Sequence, residues 1–182
     1  MRNNDCGSGM NCRLPGQECP FTAEGSAAMS VVNTEITVNA PAEKVYRFSM
    51  EVDKFPEFMP DMKSIEIIEK RPFDTGVEYS SHWVGAIQKF NLTVKWDEID
   101  RWDHEKRQCS FYMPEGRGDY QVYKGLWEFV DNGDNTTLVK MELEVEYNVP
   151  MVGGLIKKLI AKLVKENADG MLAAIKEQVE KG

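Results

Sequence analysis

Residues 136–147 read TTLVKMELEVEY, and this stretch decides the fold. Apolar and polar residues alternate along it, which in a β-strand places the two sets on opposite faces. One face carries Val139, Met141, Leu143, Val145 and Tyr147, and the other carries Lys140, Glu142, Glu144 and Glu146. The strand therefore has one face to bury and one face to leave in water, and the three glutamates are expected together on the wet face.

A long amphipathic segment, residues 155–179, follows this strand almost at once. Its apolar residues recur at spacings of three and four, which is typical of one face of a helix, and they include Leu163, Met171 and Val179. Such a helix needs an apolar surface to lie on, and the dry face of a sheet offers one. Since a sheet bent around one helix encloses more interior than its side chains fill, the pair predicts a cavity for a hydrophobic guest.

The rest of the chain predicts one strand and two short helices, followed by five further strands. The short separators between the later strands are rich in Gly, Pro, Asn and Asp, so each neighbouring pair is expected to form a hairpin. We therefore expect an α+β protein with a seven-stranded antiparallel sheet, in which the first strand lies at one edge. The predicted strands are 31–38, 64–69, 76–84, 89–99, 106–113, 120–130 and 136–147, and the two short helices run from Pro41 to about Glu51 and over 53–59.

Composition narrows the classes of function. The 182 residues and 42% hydrophobic content suit one domain, which we place at 29–182. The net charge of -8 disfavours nucleic acid, which binds concentrated basic surfaces. The chain has no apolar run near the roughly 20 residues that span a bilayer and no secretion-signal pattern at its start. A soluble cytoplasmic protein is expected.

Three of the four cysteines, Cys6, Cys12 and Cys19, lie in the first 20 residues. An odd number is a poor disulfide framework, and the gaps of five and six residues match none of the close Cys pairs of zinc or iron–sulfur sites. Two interpretations stay open, namely metal ligation and a flexible reduced leader over 1–28. We favour the leader, and we expect no metal and no cofactor.

Several stretches resemble the polyketide cyclase/dehydrase and START-like superfamily, which includes coenzyme Q-binding proteins and aromatase/cyclases. The resemblance covers roughly residues 31–179, and its clearest parts are Ala40-Pro41-Ala42-Glu43-Lys44-Val45-Tyr46, Phe55-Pro56-Glu57-Phe58-Met59-Pro60 and Tyr123-Lys124-Gly125-Leu126-Trp127-Glu128-Phe129. It implies a helix-grip fold, a sheet curved around the long C-terminal helix with a pocket between them. The second part is closest to the coenzyme Q-binding branch, whereas the run from Trp96 to Phe129 looks more like the cyclase branch.

Taking the apolar parity of each strand as inward predicts an aromatic and sulfur-rich lining, which suits a broad and adaptable pocket. A solid core made of the same residues is the alternative. The residues expected to bind a guest are Tyr79, Ser81, Trp83, Phe90, Trp96, Phe111, Trp127, Met141, Leu143, Leu163 and Met171.

Few residues are candidates for catalysis. The sequence shows no Ser-His-Asp order, no zinc-protease motif and no phosphate-binding glycine loop. Of the two histidines, His82 is expected on the outer face of its strand and His104 in a solvated turn. If the pocket is catalytic, the resemblance to the cyclases implies that it holds a reactive chain in one conformation while a few polar side chains polarise a carbonyl or pass a proton. The residues to test are Tyr79, Ser81, Tyr123 and Arg117, and we favour an ordinary structural role for all but Tyr123.

A basic strip lies on the C-terminal helix. Lys157, Lys158, Lys162 and Lys165 fall within about 140° of its circumference. Transient contact with an anionic membrane surface is one interpretation, and an ordinary solvated helix face is the one we favour.

Three functions follow as hypotheses. The first is binding or carriage of a hydrophobic molecule, such as a lipid, an isoprenoid quinone or a polyketide-like compound. The second is a polyketide cyclase or dehydratase that acts in the same cavity. The third is a partner-binding module that uses the open sheet edge. The missing catalytic set favours the first.

Overall fold

The computed structural model describes residues 30–88, 91–147 and 154–182, with side chains in 30–88, 91–146 and 162–182. The predicted order of elements is confirmed. The chain forms β1 (Ser30–Val38), α1 (Ala42–Ser49), a 3₁₀ helix (Val52–Glu57), β2 (Met62–Phe73), β3 (Gly76–Ile87), β4 (Leu92–Asp103), β5 (Gln108–Tyr112), β6 (Tyr120–Asp131), β7 (Thr137–Tyr147) and α2 (Gly154–Lys181).

The seven strands form one antiparallel sheet in the order β1-β7-β6-β5-β4-β3-β2. Consecutive strands from β2 to β7 are neighbours, as short hairpin connections require. β1 closes one edge by pairing with β7, with Ile36 opposite Val139. The expected seven-stranded sheet with the first strand at an edge is therefore confirmed.

The alternation in β7 has the expected result. Val139, Met141, Leu143 and Val145 are all buried. Glu142 is exposed on the other face, and Glu144 forms an ion pair there with Lys124 on β6 at 3.0 Å. The acidic stripe therefore lies on the outer face of the sheet, away from the core.

The helix α2 covers the inner face of the sheet and lies chiefly against β1, with further contacts to α1 and β7. Its buried stripe repeats every three or four residues, as predicted, because only one side of the helix faces the core. The C-terminal end is fixed by polar contacts, since Lys44 Nζ donates to the carbonyl of Val179 at 3.0 Å and the amide of Asn39 donates to Glu180 at 2.7 Å. The stripe consists of Val164, Ala168, Leu172, Ile175 and Val179.

Some boundaries differ from the sequence expectation. β2 continues through Pro72 to Phe73, where a turn was expected, because β2 is an edge strand and a proline costs no ladder hydrogen bond on the free edge. β4 runs on to Asp103 instead of ending at Ile99. The second short helix is a 3₁₀ helix, and Pro56 lies inside it. Among the described residues, no helix is both long enough and apolar enough to cross a membrane.

Candidate functional site

A cavity of about 250 Å³ lies between the inner face of the sheet and α2. Strands β3 to β7 and the helix all contribute to its wall, so the curvature of the sheet around the helix creates it. Most of the lining is aromatic, aliphatic or thioether, which suits an apolar guest. The wall includes Trp83, Val94, Trp96, Phe111, Tyr120, Tyr123, Trp127, Met141, Leu143, Val145, Val164 and Met171.

Trp96 is the centre of the aromatic wall. Its ring stacks on that of Trp83, the residue opposite it on β3, with the centroids 5.5 Å apart. Tyr120 and Tyr123 from β6 approach the same ring, each with centroids 5.4 Å away. Gly118 makes this packing fit, because a Cβ there would lie 2.5 Å from the Cβ of Trp96. The wall is therefore held in place by contacts among its own rings.

A buried carboxyl group interrupts this apolar wall, and a second buried carboxyl lies behind it. Glu98 and Asp100, here called the carboxyl pair, follow Trp96 on the inward face of β4 and are 4% and 3% exposed. Glu98 lines the cavity, and its Oε2 accepts a hydrogen bond from the indole N–H of Trp96 at 2.6 Å. Asp100 lies directly behind it, and the two side chains share a hydrogen bond.

Asp100 has further donors around it. The Ser81 hydroxyl lies 3.4 Å from Asp100 Oδ2, and the Cys109 thiol lies 3.9 Å from Asp100 Oδ1. Ser81 also accepts a hydrogen bond from the indole N–H of Trp83 at 2.8 Å, so its own proton is shared between two acceptors at 3.4 Å, Asp100 Oδ2 and the backbone carbonyl of Glu98. These donors stabilise a carboxylate at Asp100 and so act against the effect of burial on its pKa.

Burial and the neighbouring Asp100 carboxyl raise the pKa of Glu98 well above its ordinary value. Burial also raises the pKa of Asp100, to about 6, although hydrogen bonds from Glu98, Ser81 and Cys109 act in the opposite direction. Two adjacent buried carboxyls cannot both ionise cheaply, so the pair holds one proton near neutral pH, with Glu98 as the acid and Asp100 as the carboxylate. Burial raises the pKa of the Cys109 thiol as well, which keeps it protonated.

The sequence profile of a family described as polyketide cyclase/dehydrase and lipid transport matches residues 38–172. The chain belongs to this family. TTHA0849 from Thermus thermophilus is 30% identical, with a TM-score of 0.73 over 83% of this chain and 97% of that protein. A search of the curated proteins gave no match.

More distant members of the fold support the same architecture. The Zhui aromatase/cyclase from Streptomyces sp. R1128 is 16% identical, with a TM-score of 0.70 over 85% of this chain and 95% of that one. A START superfamily protein from Mycobacterium smegmatis is 20% identical, with a TM-score of 0.69 over 84% of this chain and 98% of that one. At these identities the likeness shows the fold alone, and it confirms the helix-grip arrangement predicted from the sequence.

The cavity brings together seven of the eleven residues predicted to bind a guest, namely Trp83, Trp96, Phe111, Trp127, Met141, Leu143 and Met171. Tyr79 and Ser81 are buried beside the cavity and do not line it, and Leu163 is half-buried on α2 outside the wall. Phe90 lies outside the described residues, as do Cys6, Cys12 and Cys19.

The residues suggested for catalysis are dispersed. Tyr123 lines the cavity. The ring of Tyr79 lies under Lys70, whose Nζ is 4.4 Å from the ring centroid. Arg117 lies on the outer face, where its guanidinium contacts Asp97 at 2.5 Å. His82 Nδ1 donates to the same carboxylate at 2.7 Å, so both residues belong to an outer polar cluster.

His104 is the second histidine, and it lies in the turn after β4. It was expected to be solvated, but its Nδ1 lies 2.9 Å from the hydroxyl of Tyr46 on α1. Tyr46 does not line the cavity, so this hydrogen bond joins the turn to the helix at a distance from the site.

The basic strip on α2 is partly neutralised. Lys162 forms an ion pair with Glu166 at 3.5 Å, and Lys165 forms one with Asp169 at 2.8 Å. The side chains of Lys157 and Lys158 lie outside the described set. Membrane-surface contact through this strip stays a prediction.

Glu98 and Asp100 are the residues that the sequence reasoning missed. The signal was present, because Trp96, Glu98, Asp100 and Trp102 follow one another at every second position of one strand. Residues of a strand at this spacing share a face, so two carboxyls between two tryptophans had to face the core with them.

Proposed function

We propose that the protein binds a compact hydrophobic molecule in the cavity between the sheet and α2. The observation that carries this proposal is the mostly aromatic and methionine lining of an unfilled space, in which Glu98 is a buried acid and the acids Asp61 and Glu166 lie at more exposed positions. Natural ligand sites combine a mostly apolar lining with a few polar groups that fix orientation.

The size of the cavity favours some guests over others. Its volume of about 250 Å³ is close to the lower end of the roughly 300–1,000 Å³ typical of ligand sites. A fused-ring, polyketide-like compound or the head group of a quinone suits this space better than a whole isoprenoid or acyl chain. The wall also favours planar guests, because flat rings such as the stacked Trp83 and Trp96 pack best against a flat surface.

The expected affinity is moderate. Burial of roughly 200 Å² of apolar guest surface contributes about 5 kcal/mol at 25 cal/mol per Å². This figure alone corresponds to a dissociation constant of about 0.2 mM, and association costs reduce it, so dissociation constants of about a millimolar are expected for a guest that makes no specific polar contact. Affinity in this range lets a carrier both take up and release its cargo.

Titration with the neutral fluorescent probe N-phenyl-1-naphthylamine tests the proposal. Ala174→Phe places a ring into the cavity from α2, whereas Ala173→Phe places the same ring on the solvent side of the same helix. The proposal predicts saturable binding to the wild type and to Ala173→Phe, and at least about tenfold weaker binding to Ala174→Phe. Equal binding by all three proteins would place the probe outside the cavity and refute the proposal.

Catalysis in the same cavity, as a cyclase or dehydratase, is the second candidate function. Membership of a family that includes polyketide cyclases and dehydrases supports it, as does the position of Glu98 and Tyr123 in the cavity wall. The probe titration does not separate this candidate from simple carriage, because both require a bound guest. A chemical readout is needed for that distinction.

A further inference from the structure

We propose that Glu98 and Asp100 form a proton-transfer site that acts on a ketone-bearing guest in the cavity, with Glu98 as the catalytic residue and Asp100 as the residue that positions and relays its proton. This inference rests on the proposed function, because it needs a guest beside Glu98. It assigns the chemical class of that guest, a planar ketone with acidic hydrogens on the carbon next to the carbonyl.

The geometry gives the two carboxyls different roles. Only Glu98 belongs to the cavity wall, and its Oε2 is fixed by the indole N–H of Trp96 at 2.6 Å. Asp100 lies behind Glu98 and is surrounded by Ser81 and Cys109, so a guest reaches it only through Glu98. An acid in contact with a guest and a second carboxyl hydrogen-bonded behind it make a two-member relay.

The burial of two neighbouring carboxyl groups costs free energy of folding. Buried carboxyls are rare unless they are paired or hydrogen-bonded, and an apolar wall of the same volume would serve a simple carrier as well. The fold places both acids on the inward face of a central strand, with Trp96 and Trp102 on either side. A guest with a polar, proton-exchanging group gives these acids a function that an apolar guest does not.

The proposed step is the removal of a proton from the guest by Glu98. The C–H bond next to the guest carbonyl breaks, its electron pair becomes part of the enolate, and its proton goes to a Glu98 carboxyl oxygen. At the same time the proton already on Glu98 passes to Asp100, so the pair changes from one proton and one negative charge to two protons and no charge. Return of a proton to the enolate, at carbon or oxygen, restores the pair, and no oxidant or metal is consumed.

Other ionisable groups face the pair or the same cavity from neighbouring elements. Cys109 contacts Asp100 from β5, and its raised pKa keeps it a thiol. Tyr79 lies opposite Asp100 on β3. Tyr120 and Tyr123 from β6, Asp61 before β2 and Glu166 from α2 line the cavity. Burial puts the pKa of Asp100 at about 6, which is close to the working pH that general base catalysis favours.

Hydrogen–deuterium exchange of 2-tetralone in D₂O tests this proposal without knowledge of the natural guest. 2-Tetralone is a fused-ring ketone with acidic hydrogens next to its carbonyl, and its deuterium content is read by mass spectrometry. Wild-type protein is expected to accelerate exchange by about 10²-fold or more relative to Glu98→Gln, the range typical of general acid–base catalysis. Asp97→Asn, on the outer face of the same strand, is expected to exchange at the wild-type rate.

Asp100→Asn supplies the readout that a purely structural role would not change. The wild-type exchange rate should rise with pH through about 6 as Asp100 ionises, and the variant should lose this rise. If Glu98→Gln fails to fold, as judged by circular dichroism, the pH profile of Asp100→Asn decides the question. The inference is overturned if folded Glu98→Gln exchanges at the wild-type rate. It is also overturned if the exchange rate of Asp100→Asn still rises with pH through about 6.

Displacement of N-phenyl-1-naphthylamine by 2-tetralone, measured in the same preparation, separates the two proposals. Displacement without accelerated exchange overturns the proton-transfer site and leaves the carrier intact. Failure of the wild type to bind either molecule overturns the proposed function, and the proton-transfer site with it.

Discussion

Replacement of Asp100 by Asn should change how the stability of the protein depends on pH. Burial raises the pKa of Asp100 from 3.8 to about 6 in the folded protein. A raised folded-state pKa means that folding opposes ionisation, so this carboxyl reduces stability as pH rises from about 4 through about 6. Asn has nearly the same shape and does not ionise, so the variant escapes this loss.

The magnitude follows from the pKa difference. One pKa unit corresponds to about 1.36 kcal/mol, so a rise from 3.8 to about 6 destabilises the folded carboxylate by about 3 kcal/mol in full. Part of this loss has already occurred at about pH 4.5, where the unfolded carboxyl is mostly ionised. The free energy of unfolding of the variant relative to the wild type should therefore increase by about 2 kcal/mol between about pH 4.5 and about pH 7.5.

Urea denaturation followed by far-ultraviolet circular dichroism, at several pH values across this range, measures the difference. Any constant cost of the altered hydrogen bonds cancels, because only the change with pH is compared. Asp97→Asn is the matched control on the outer face of the same strand. A hydrogen bond from His82, with a further one from Arg117, lowers the pKa of Asp97, so that carboxylate adds stability at neutral pH that is lost as pH falls. The control should therefore differ most from the wild type at neutral pH, in the destabilising direction. If the difference in the free energy of unfolding between Asp100→Asn and the wild type does not vary with pH, the raised pKa assigned to Asp100 is refuted.

Three further substitutions test the packing against Trp96, the helix α2 and the outward position of Arg117. Gly118→Ala brings a Cβ to 2.5 Å from the Cβ of Trp96 and should lower the free energy of unfolding by about 1–3 kcal/mol, as measured by urea denaturation. The added Cβ of Gly170→Ala meets no atom within 4 Å in the middle of α2. This variant should therefore increase the free energy of unfolding by about 0.5–1 kcal/mol and raise the melting temperature. A lower melting temperature would show that the helix is bent there. Arg117→Ala removes an outer ion pair only, so the dissociation constant of N-phenyl-1-naphthylamine should stay within about twofold of the wild type, and a tenfold change would contradict the outward position of this residue.

Much of the fold could be predicted because each strand is apolar on one face only. A period of two in 136–147 and a period near 3.6 in 155–179 already fix which side of each element faces the core. Short hairpin connections then leave one arrangement for six consecutive strands. The pairing of β1 with β7 has no such local signal, so the sequence placed the first strand at an edge of the sheet without predicting which edge.

The polar part of the site could not be found in the same way. Hydrophobic alternation identifies Trp96 as inward, but it treats an acid such as Glu98 as a break in the pattern, and the strand was therefore predicted to end at Ile99, before Asp100 and Trp102. A buried acid is tolerated only through the hydrogen bonds that Trp96, Ser81 and Asp100 provide, and those partners come together only in the folded sheet. The loop that carries Arg117 has no period at all, so its direction could not be predicted from the sequence.

Contacts between a bound guest and single methionine methyl groups test the central claim most directly. Met141 on β7 and Met171 on α2 line the cavity from opposite sides, whereas Met50 is buried outside it. In protein labelled with carbon-13 at the methionine methyls, nuclear Overhauser effects from bound 2-tetralone should reach Met141 and Met171 and not Met50. Effects confined to methionines outside the cavity wall, such as Met50, or none at a saturating concentration of the ketone, would contradict a guest-binding cavity between the sheet and α2.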